Sequence, residues 1–538
     1  MASWIDSSYP PTLTPEQEEY LLDNLKNWSI ANGLAVRPTS AFVPEETDPS
    51  MSLATTAPVT LFPSPFPRKC FDMAKDLQVS YNELYAAISS DEAWLKDIVE
   101  EIIDVDDFVA KLWSIHLDVK EEGYVQDLTF GLFRSDYMVH SPTSSSNEPS
   151  SPPSIKQVEF NTISSSFGCL SSQVSLLHQH LHELPATPYP TSIKSASLPS
   201  NPTIPKLAQG LKEAHIAYGP SKSVPSLPLC IIILVQPKEH NIFDQYLLTN
   251  HIQNDKIPIF RLPFTTVLDH TKIPSSNPSR PLVYTPPHSP STPYEVSVLY
   301  FRAGYAPSEY PDSTVWTARH HLERSAAIKC PSVLTQISGI KKVQQMLAIP
   351  HSVTSDSDPL THFLPHTSSS DLSRIRSTFC AQYPLFPLDS PSAKEGRALA
   401  LDSKTAPGFV LKPNREGGGN NIYGSDIPDF LKSIPEDQWK GYILMSLIEP
   451  PAEGMGVQNA VFRNGKVEKG EVIGELGVFG CCLWRQVSIG SNKSESANQG
   501  IIKGNFEAGY LLRTKGRGSS EGGVAAGFGS VDSCLLID

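Results

Sequence analysis

The chain has 538 residues, with 43 Lys and Arg against 57 Asp and Glu, and its formal net charge of −14 argues against a nucleic-acid or other polyanion partner. At roughly 150 residues per domain the length predicts about three structural units, and a hydrophobic content of 39% suffices for sizeable cores. The apolar run Cys230 to Val235 is far short of the roughly 20 residues that cross a bilayer, and the polar start MASWIDSSYPPTL lacks a basic region followed by an apolar stretch, so a cytoplasmic protein with no membrane partner is expected.

Along the chain, Thr14, Pro15 and Gln17 form a capping-box signature with proline at the first helical position, and Leu21, Leu25 and Trp28 follow at helical spacing, which predicts a helix. Residues 141–154, where eleven of fourteen positions are Ser or Pro, cannot bury enough surface to offset chain entropy and read as a loop. Similar stretches at 193–205, 272–292 and 352–370 are expected to be surface insertions. KQVEFN (156–161), CIIILVQ (230–236), VSVLYFR (ending at Arg302), GFVLK (408–412) and YILMSLI (442–448) read as strands, and 209–215, 318–328 and 340–348 as helices. NAVFRNGKVEKGEVI adds a hairpin turning at Asn464-Gly465. Eight scattered cysteines with no CxxC pair read as reduced core residues. There is no internal repeat, and the class is α/β or α+β with mixed sheets.

Three constellations carry chemistry. In KPNREGGGNNIYG a strand delivers Lys412; Arg415, Glu416, Gly417, Gly418, Gly419, Asn420 and Asn421 follow. Adjacent glycines let backbone N–H groups converge on an anion, the cations match a phosphate chain, and a carboxylate among them makes sense if a divalent cation shares the site. In VEFNTISSSFG, Glu159 and Asn161 lie two apart on a strand, so they share a face and could hold one cation. In LLRTKGRGSSEGGVAAGFG, Arg513, Lys515 and Arg517 alternate with small residues, the make-up of a mobile basic loop that closes over anions. Neither GxxxxGK[ST] nor GxGxxG occurs, which excludes the phosphate loops of P-loop, Rossmann and kinase proteins.

With RSDYM (134–138), NIFDQ (241–245), YFRAGY (300–305), ERSAAIKCPSVLTQISGIKKVQQ (323–345), YILM (442–445) and GELGVFG (474–480), these strings resemble, in order, the eukaryotic glutathione synthetase family from about residue 15 to the end. The resemblance implies an ATP-grasp body, 1–225 and 341–538, with a smaller α/β substrate-binding domain inserted at 226–340. It implies a magnesium-dependent homodimer that joins γ-glutamylcysteine to glycine with ATP, through an acyl phosphate. By similarity, Glu159, Asn161 and Glu416 would hold magnesium. Lys341, Lys412, Pro413, Asn414, Arg415, the loop from Gly417 to Asn421, Tyr423, Met445, Ser446, Leu447, Ile448, Glu475, Lys515 and Glu521 would surround ATP. Arg134, Ile163, Ser164, Ser165, Ser166, Glu239, His240, Asn241, Gln245, Arg302, Ala303, Gly304 and Tyr305 would bind the dipeptide, and Arg513, Val524 and Ala525 the acceptor end. Arg134, Lys412 and Arg513 would be the catalytic cations, with Arg134 beside the transferring phosphoryl group. Four positions depart from the family pattern: Ala303 stands where an acid is frequent, Ser446-Leu447 where Glu-Lys is common, and Glu521 where Asp is common. The alternatives are a related ligase using β-alanine, or a catalytically impaired nucleotide-binding regulator.

Overall fold

The computed structural model describes residues 9–141, 152–190, 193–349, 358–414, 420–451, 456–486, 501–519, 524 and 529–538. Helix α1 (Pro15–Ala31) starts at the predicted capping box: Thr14 Oγ1 accepts the Gln17 N–H at 3.3 Å, the Gln17 side chain accepts the Thr14 N–H at 2.9 Å, and Leu21 and Leu25 face the core. Strands β1 (Val59–Thr60) and β2 (Ser64–Pro67) lead into α2 (Arg68–Ser90).

The molecule is built on a 13-stranded mixed sheet. At its centre β3 (Leu128–His140) pairs antiparallel with β4 (Ser154–Asn161). Helices α3 (Gly168–Glu183) and α4 (Thr203–Tyr218) follow, and then comes β5 (Leu229–Val235), whose LCIIILV sequence is buried beyond its first residue, as a strand covered on both faces requires. After α5 (Ile242–Asn254), strands β6 (Ile259–Pro263) and β7 (Tyr294–Phe301) lie parallel to β5. Helix α6 (Ser313–Glu323) leads to β8 (Ile328–Cys330), which joins this parallel set to β3 through the pair Lys329 and Thr129. Helices α7 (Val333–Ser338) and α8 (Lys341–Ala348) come next in the chain.

A second sheet is four-stranded and antiparallel: β9 (Gln382–Pro384), β12 (Tyr442–Ser446), β10 (Phe409–Pro413) and β11 (Ile422–Tyr423), in that spatial order. The chain then returns to the large sheet with β13 (Val457–Arg463) and β14 (Lys466–Arg485). These two form the predicted hairpin, with Asn464 and Gly465 at φ 48° and 76°. β15 (Ile501–Gly516), β16 (Gly529–Asp532) and β17 (Cys534–Ile537) complete the chain.

The period-2 alternation of the central strands sorts them into two cores. Phe130 and Leu132 of β3 join Phe479 and Cys481 of β14 beneath α3 and α4. Phe133 and Tyr137 join Val478, Cys482 and Trp484 against α2. All eight cysteines are buried and free, as expected.

Several expectations need correction. The helix predicted over 318–328 ends at Glu323, because Ile328–Cys330 is drawn into the sheet as β8. The stretch 272–292 is not a bare surface insertion: Leu282, Val283 and Tyr284 are buried, and the last two pair with β7. In 193–205, Leu198 and Thr203 are buried and α4 begins at Thr203. In 352–370, a short helix (Pro359–Phe363) buries Leu360 and Phe363. A few apolar residues in each polar stretch suffice to pin it. Most of 141–154 lies outside the described residues.

Candidate active site

The first half of the site arises where one face of the large sheet changes from apolar to charged. On β3, Phe130 and Leu132 are core, and the next residues on that face are Arg134 and Asp136. On β14 the same face reads Cys481, Phe479, Gly477 and Glu475 toward the same end, and on β15 it presents Arg513 opposite Glu475. β4 aligns Asn161 with Arg134 and Glu159 with Asp136.

These side chains form one lattice. Arg134 holds Asp136 with a fork, Nε to Oδ1 at 2.6 Å and Nη2 to Oδ2 at 2.8 Å, while its Nη1 donates to the Ser166 carbonyl at 3.2 Å. Arg513 donates to Asp136 Oδ2 at 2.9 Å and also pairs with Glu475. Asn161 Nδ2 donates to Asp136 Oδ2 at 2.9 Å. Gly477 is required by close approach: a Cβ there would stand 2.7 Å from Asp136 Oδ1 and 2.8 Å from Arg134 Cδ.

Lys341, the first residue of α8, pairs with Glu159 at 3.0 Å, and Lys412 Nζ donates to the Val158 carbonyl at 2.9 Å. Burial raises the Glu159 carboxyl, but Lys341, Lys412 and Arg513 outweigh it and hold the group well below the usual carboxylate range. Burial pulls the Lys412 ammonium down from its ordinary value, against the pull of Glu159. The four cations Arg134, Lys341, Lys412 and Arg513 exceed the three carboxylates Asp136, Glu159 and Glu475, a balance suited to a polyphosphate. Asn414 faces inward: its Oδ1 accepts the Lys342 N–H at 2.7 Å, which ties the end of β10 to the start of α8.

Beside this lattice the four-stranded sheet carries a small apolar cluster. Cys380, Val410 and Met445 are its buried members, and Tyr423, Leu447 and Ile448 pack against them. The predicted strand 442–448 stops at Ser446, whose N–H goes to the Ala381 carbonyl at 2.9 Å; the Leu447 N–H goes to the Gly408 carbonyl at 2.9 Å.

The second half gathers around the 162–167 loop, which turns through left-handed Ser164 and Phe167, at φ 53° and 66°. The Asp244 carboxylate, on α5, accepts the N–H groups of Phe167, Cys169 and Leu170 at 3.0, 2.8 and 3.3 Å and pairs with Arg302 at 2.9 Å. Ser164 Oγ donates to the Phe301 carbonyl at 3.1 Å. Glu239 accepts from the Asn241 N–H and from Gln245 Nε2, and Arg261 donates to Gln245 Oε1. Tyr305 OH accepts from Gln236 at 3.0 Å. Both side-chain polar atoms of Asn241, and Ser165 Oγ, are buried without a partner, as groups waiting for a polar ligand would be.

Ile163, on the 162–167 loop, and Ala303, just after Arg302, bury their side chains in an apolar core, and Val524 joins the core under α3 and α4. The His240 side chain is exposed while its carbonyl accepts the Arg37 N–H at 2.9 Å. Arg513 and Lys515 are on β15, not in a mobile loop, because the ladder with β14 runs on to Gly516; Arg517, just beyond it, is tied to Glu471 at 2.7 Å. Arg415, Glu416, Gly417, Gly418, Gly419, Glu521 and Ala525 lie outside the described residues.

The family model for the ATP-binding domain of eukaryotic glutathione synthase matches residues 15–536. The chain belongs to the eukaryotic glutathione synthase family. Membership makes it an ATP-dependent ligase that forms glutathione. It is 36% identical to the glutathione synthetase large chain of Schizosaccharomyces pombe, over 98% of this chain and 99% of that one, and 34% identical to the Homo sapiens glutathione synthetase, over 96% and 97%. A solved structure of a glutathione synthetase-like effector from Globodera pallida shares the fold, with a TM-score of 0.69 at 20% identity over 98% of each chain.

Within this glutathione synthase, Asp136, Asp244, Arg261 and Cys380 escaped the sequence reading. Asp136 had a signal, since it lies two residues after Arg134 on a strand and so shares its face. Cys380 had none, because only the pairing of β9 with β12 brings it to Met445.

Proposed function

We propose that this glutathione synthase activates the cysteinyl carboxylate of γ-glutamylcysteine as an acyl phosphate and transfers the acyl group to glycine. The carboxylate attacks the ATP γ-phosphate and expels ADP; the glycine amine then adds to the acyl carbon, and phosphate leaves. No protein nucleophile is needed, since positioning and neutralisation of charge supply the catalysis. The observation that carries the reading is the juxtaposition of two unlike halves: a cationic lattice at Asp136 and, joined to it by the Arg134 bond to Ser166, a region with unpartnered buried polar groups at Asn241 and Ser165.

Lys341 and Lys412 hold the phosphates, Arg134 sits beside the transferring phosphoryl group, and the apolar cluster at Met445 packs on the adenine. Arg302, Gln245, Asn241 and Tyr305 bind the dipeptide, and Arg513 grips the carboxylate of the acceptor. Glu159 is kept ionised, and the Asn161 N–H is spent on Asp136, which leaves its carbonyl oxygen to offer. These hard oxygen donors fit magnesium, with Glu416 as the further ligand, and the bound cation would screen phosphate charge. The working form is a homodimer in the cytoplasm; among the described residues no helix is long and apolar enough to cross a membrane.

The test is ADP release from Mg-ATP with γ-glutamylcysteine and either glycine or β-alanine. Glycine is expected to be preferred by about 10- to 200-fold in kcat/KM, the range one methylene commands in a small pocket. Equal use of β-alanine would remove the acceptor assignment, and no stimulation by either amine would remove the ligase reading.

A further inference from the structure

The turn that follows Arg302 is held by one residue that also reaches the end of the strand carrying Asn161. Gln336, on α7, is buried. Its Nε2 donates to the Gly304 carbonyl at 3.0 Å, and its Oε1 accepts from Arg319 Nη2 at 3.2 Å. Its own carbonyl lies 3.4 Å from Thr162 Oγ1, next to Asn161. Three residues after α7 comes Lys341. Arg319 is itself fully buried, with its guanidinium 4.1 Å from the centroid of Phe301, the residue before Arg302, and 3.7 Å from Glu323.

We infer that Gln336 is a positioning residue that sets the dipeptide turn 302–305 against the metal and phosphate end of the site, an inference that rests on the ligase reading above. The side-chain chemistry is specific. The position needs one acceptor, for Arg319, and one donor, for a backbone carbonyl, at the end of the same short side chain. An amide supplies both; a carboxylate lacks the donor, an ammonium lacks the acceptor, and an aliphatic chain lacks both. Gly304 is at φ 86° and a Cβ there would meet Tyr310 Oη at 3.0 Å and Phe264 at 3.1 Å, so the turn has one backbone path, and its carbonyl is fixed by two donors, Gln336 and the Tyr310 hydroxyl at 3.0 Å. Removing one donor frees the carbonyl to rotate, and Arg302 and Tyr305 flank that peptide.

The test is Gln336→Glu. Beside Arg319 the carboxylate stays ionised, keeps the shape of the side chain and its acceptor, and sets a charged oxygen against the Gly304 carbonyl where the donor was. The KM for γ-glutamylcysteine is expected to rise at least about tenfold while the KM for ATP changes less than about twofold and Tm is retained. Tyr310→Phe, which removes the other donor and keeps the ring, should raise the dipeptide KM in the same selective way, and it carries the test alone if Gln336→Glu does not fold. A wild-type dipeptide KM in the folded variant, or equal rises in both KM values, would overturn the inference while leaving the ligase reading intact. If the unmodified protein itself released no ADP in response to γ-glutamylcysteine and glycine, the ligase reading would fail and take the inference with it.

Discussion

At Asp136 two guanidiniums and one amide converge on a carboxylate with no exposed surface. Removing one partner from a buried ionic cluster typically costs about 3–5 kcal/mol, because the partners left behind keep their charge and lose their solvation. Asp136→Asn is therefore expected to lower turnover at least about 100-fold and to lower Tm, since Arg134 and Arg513 lose the atom that spaces them. Steady-state kinetics and a thermal melt check this; wild-type turnover would show that the two arginines hold their places without it. Glu416→Gln is expected to reduce turnover by a similar factor, about 100-fold or more, with little change in Tm, because a metal-shell charge serves the ligand more than the fold. Near-normal activity at saturating magnesium would remove Glu416 from the proposed shell. The contrast shows what was legible at this scale. Residues whose type announces a ligand, such as Glu159, Asn161 and Lys412, stand out in one dimension. Residues that organise other residues do not: Asp244 becomes informative only when the fold brings it to Arg302 and to the start of α3.

Elements were legible where the sequence pattern matched a single environment. The capping box at Thr14, the apolar β5 and the Asn464-Gly465 turn each satisfy a local rule, and the structure follows it. The boundary at Glu323 and the buried residues of 272–292 were not legible, because sheet pairing decided them, with Thr129 far back in the chain for 328–330 and with the following strand for 283–284. GELGVFG is an intermediate case, since its glycines lie in a strand, where glycine is locally unfavourable. The cause is tertiary: a Cβ at Gly480 would strike Asn82 Oδ1 at 2.1 Å, and one at Gly477 would strike the Asp136 fork. Gly477→Ala should accordingly cost at least about tenfold in turnover and about 1–3 kcal/mol in stability. Gly474→Ala, whose Cβ would meet only Leu512 Cδ1 at 3.3 Å, should be milder. Equal effects of the two substitutions would mean that the strand, and not the fork, sets the need for glycine. The Ser/Pro segment gives the opposite expectation. His140 pairs with Ser154 across the β3–β4 ladder, so the ends of the segment are held by the two strands it joins. Replacing 142–151 with Gly-Gly should leave turnover within about twofold and Tm within about 2 °C; a large fall in Tm would show that the segment packs.

At the scale of the whole molecule, the two ends of the chain are fastened to each other. β1 lies parallel to β16 and β2 parallel to β17, so residues 59–67 and 529–537 close the structure together. Between them sits Asp532, fully buried, which accepts Ser64 Oγ at 2.6 Å and the Ser533 N–H at 2.7 Å. Burial pushes its carboxyl up to about 7, and the hydrogen bonds from Ser64 and Ser533 only partly offset that. An unfolded Asp titrates near 3.9. Between about pH 4 and pH 7 the folded chain thus keeps a proton that the unfolded chain has lost, and stability from this group falls as pH rises through that window, staying low above it. His178 slopes the other way: burial lowers it to about 4, so its contribution grows as pH rises from about 4 to 6.5. A comparison that leaves His178 unchanged separates the two. Asp532→Asn imitates the protonated acid, and its amide can donate to Ser64 Oγ where the carboxylate accepts from it. The variant should therefore be more stable than the wild type at about pH 8, by on the order of a few kcal/mol, and so melt higher, and the gap should shrink toward about pH 5. Melting curves at both pH values decide it: a gap independent of pH would mean that Asp532 does not hold its proton, and a lower melting point at both would mean that the charged carboxylate is itself the clasp.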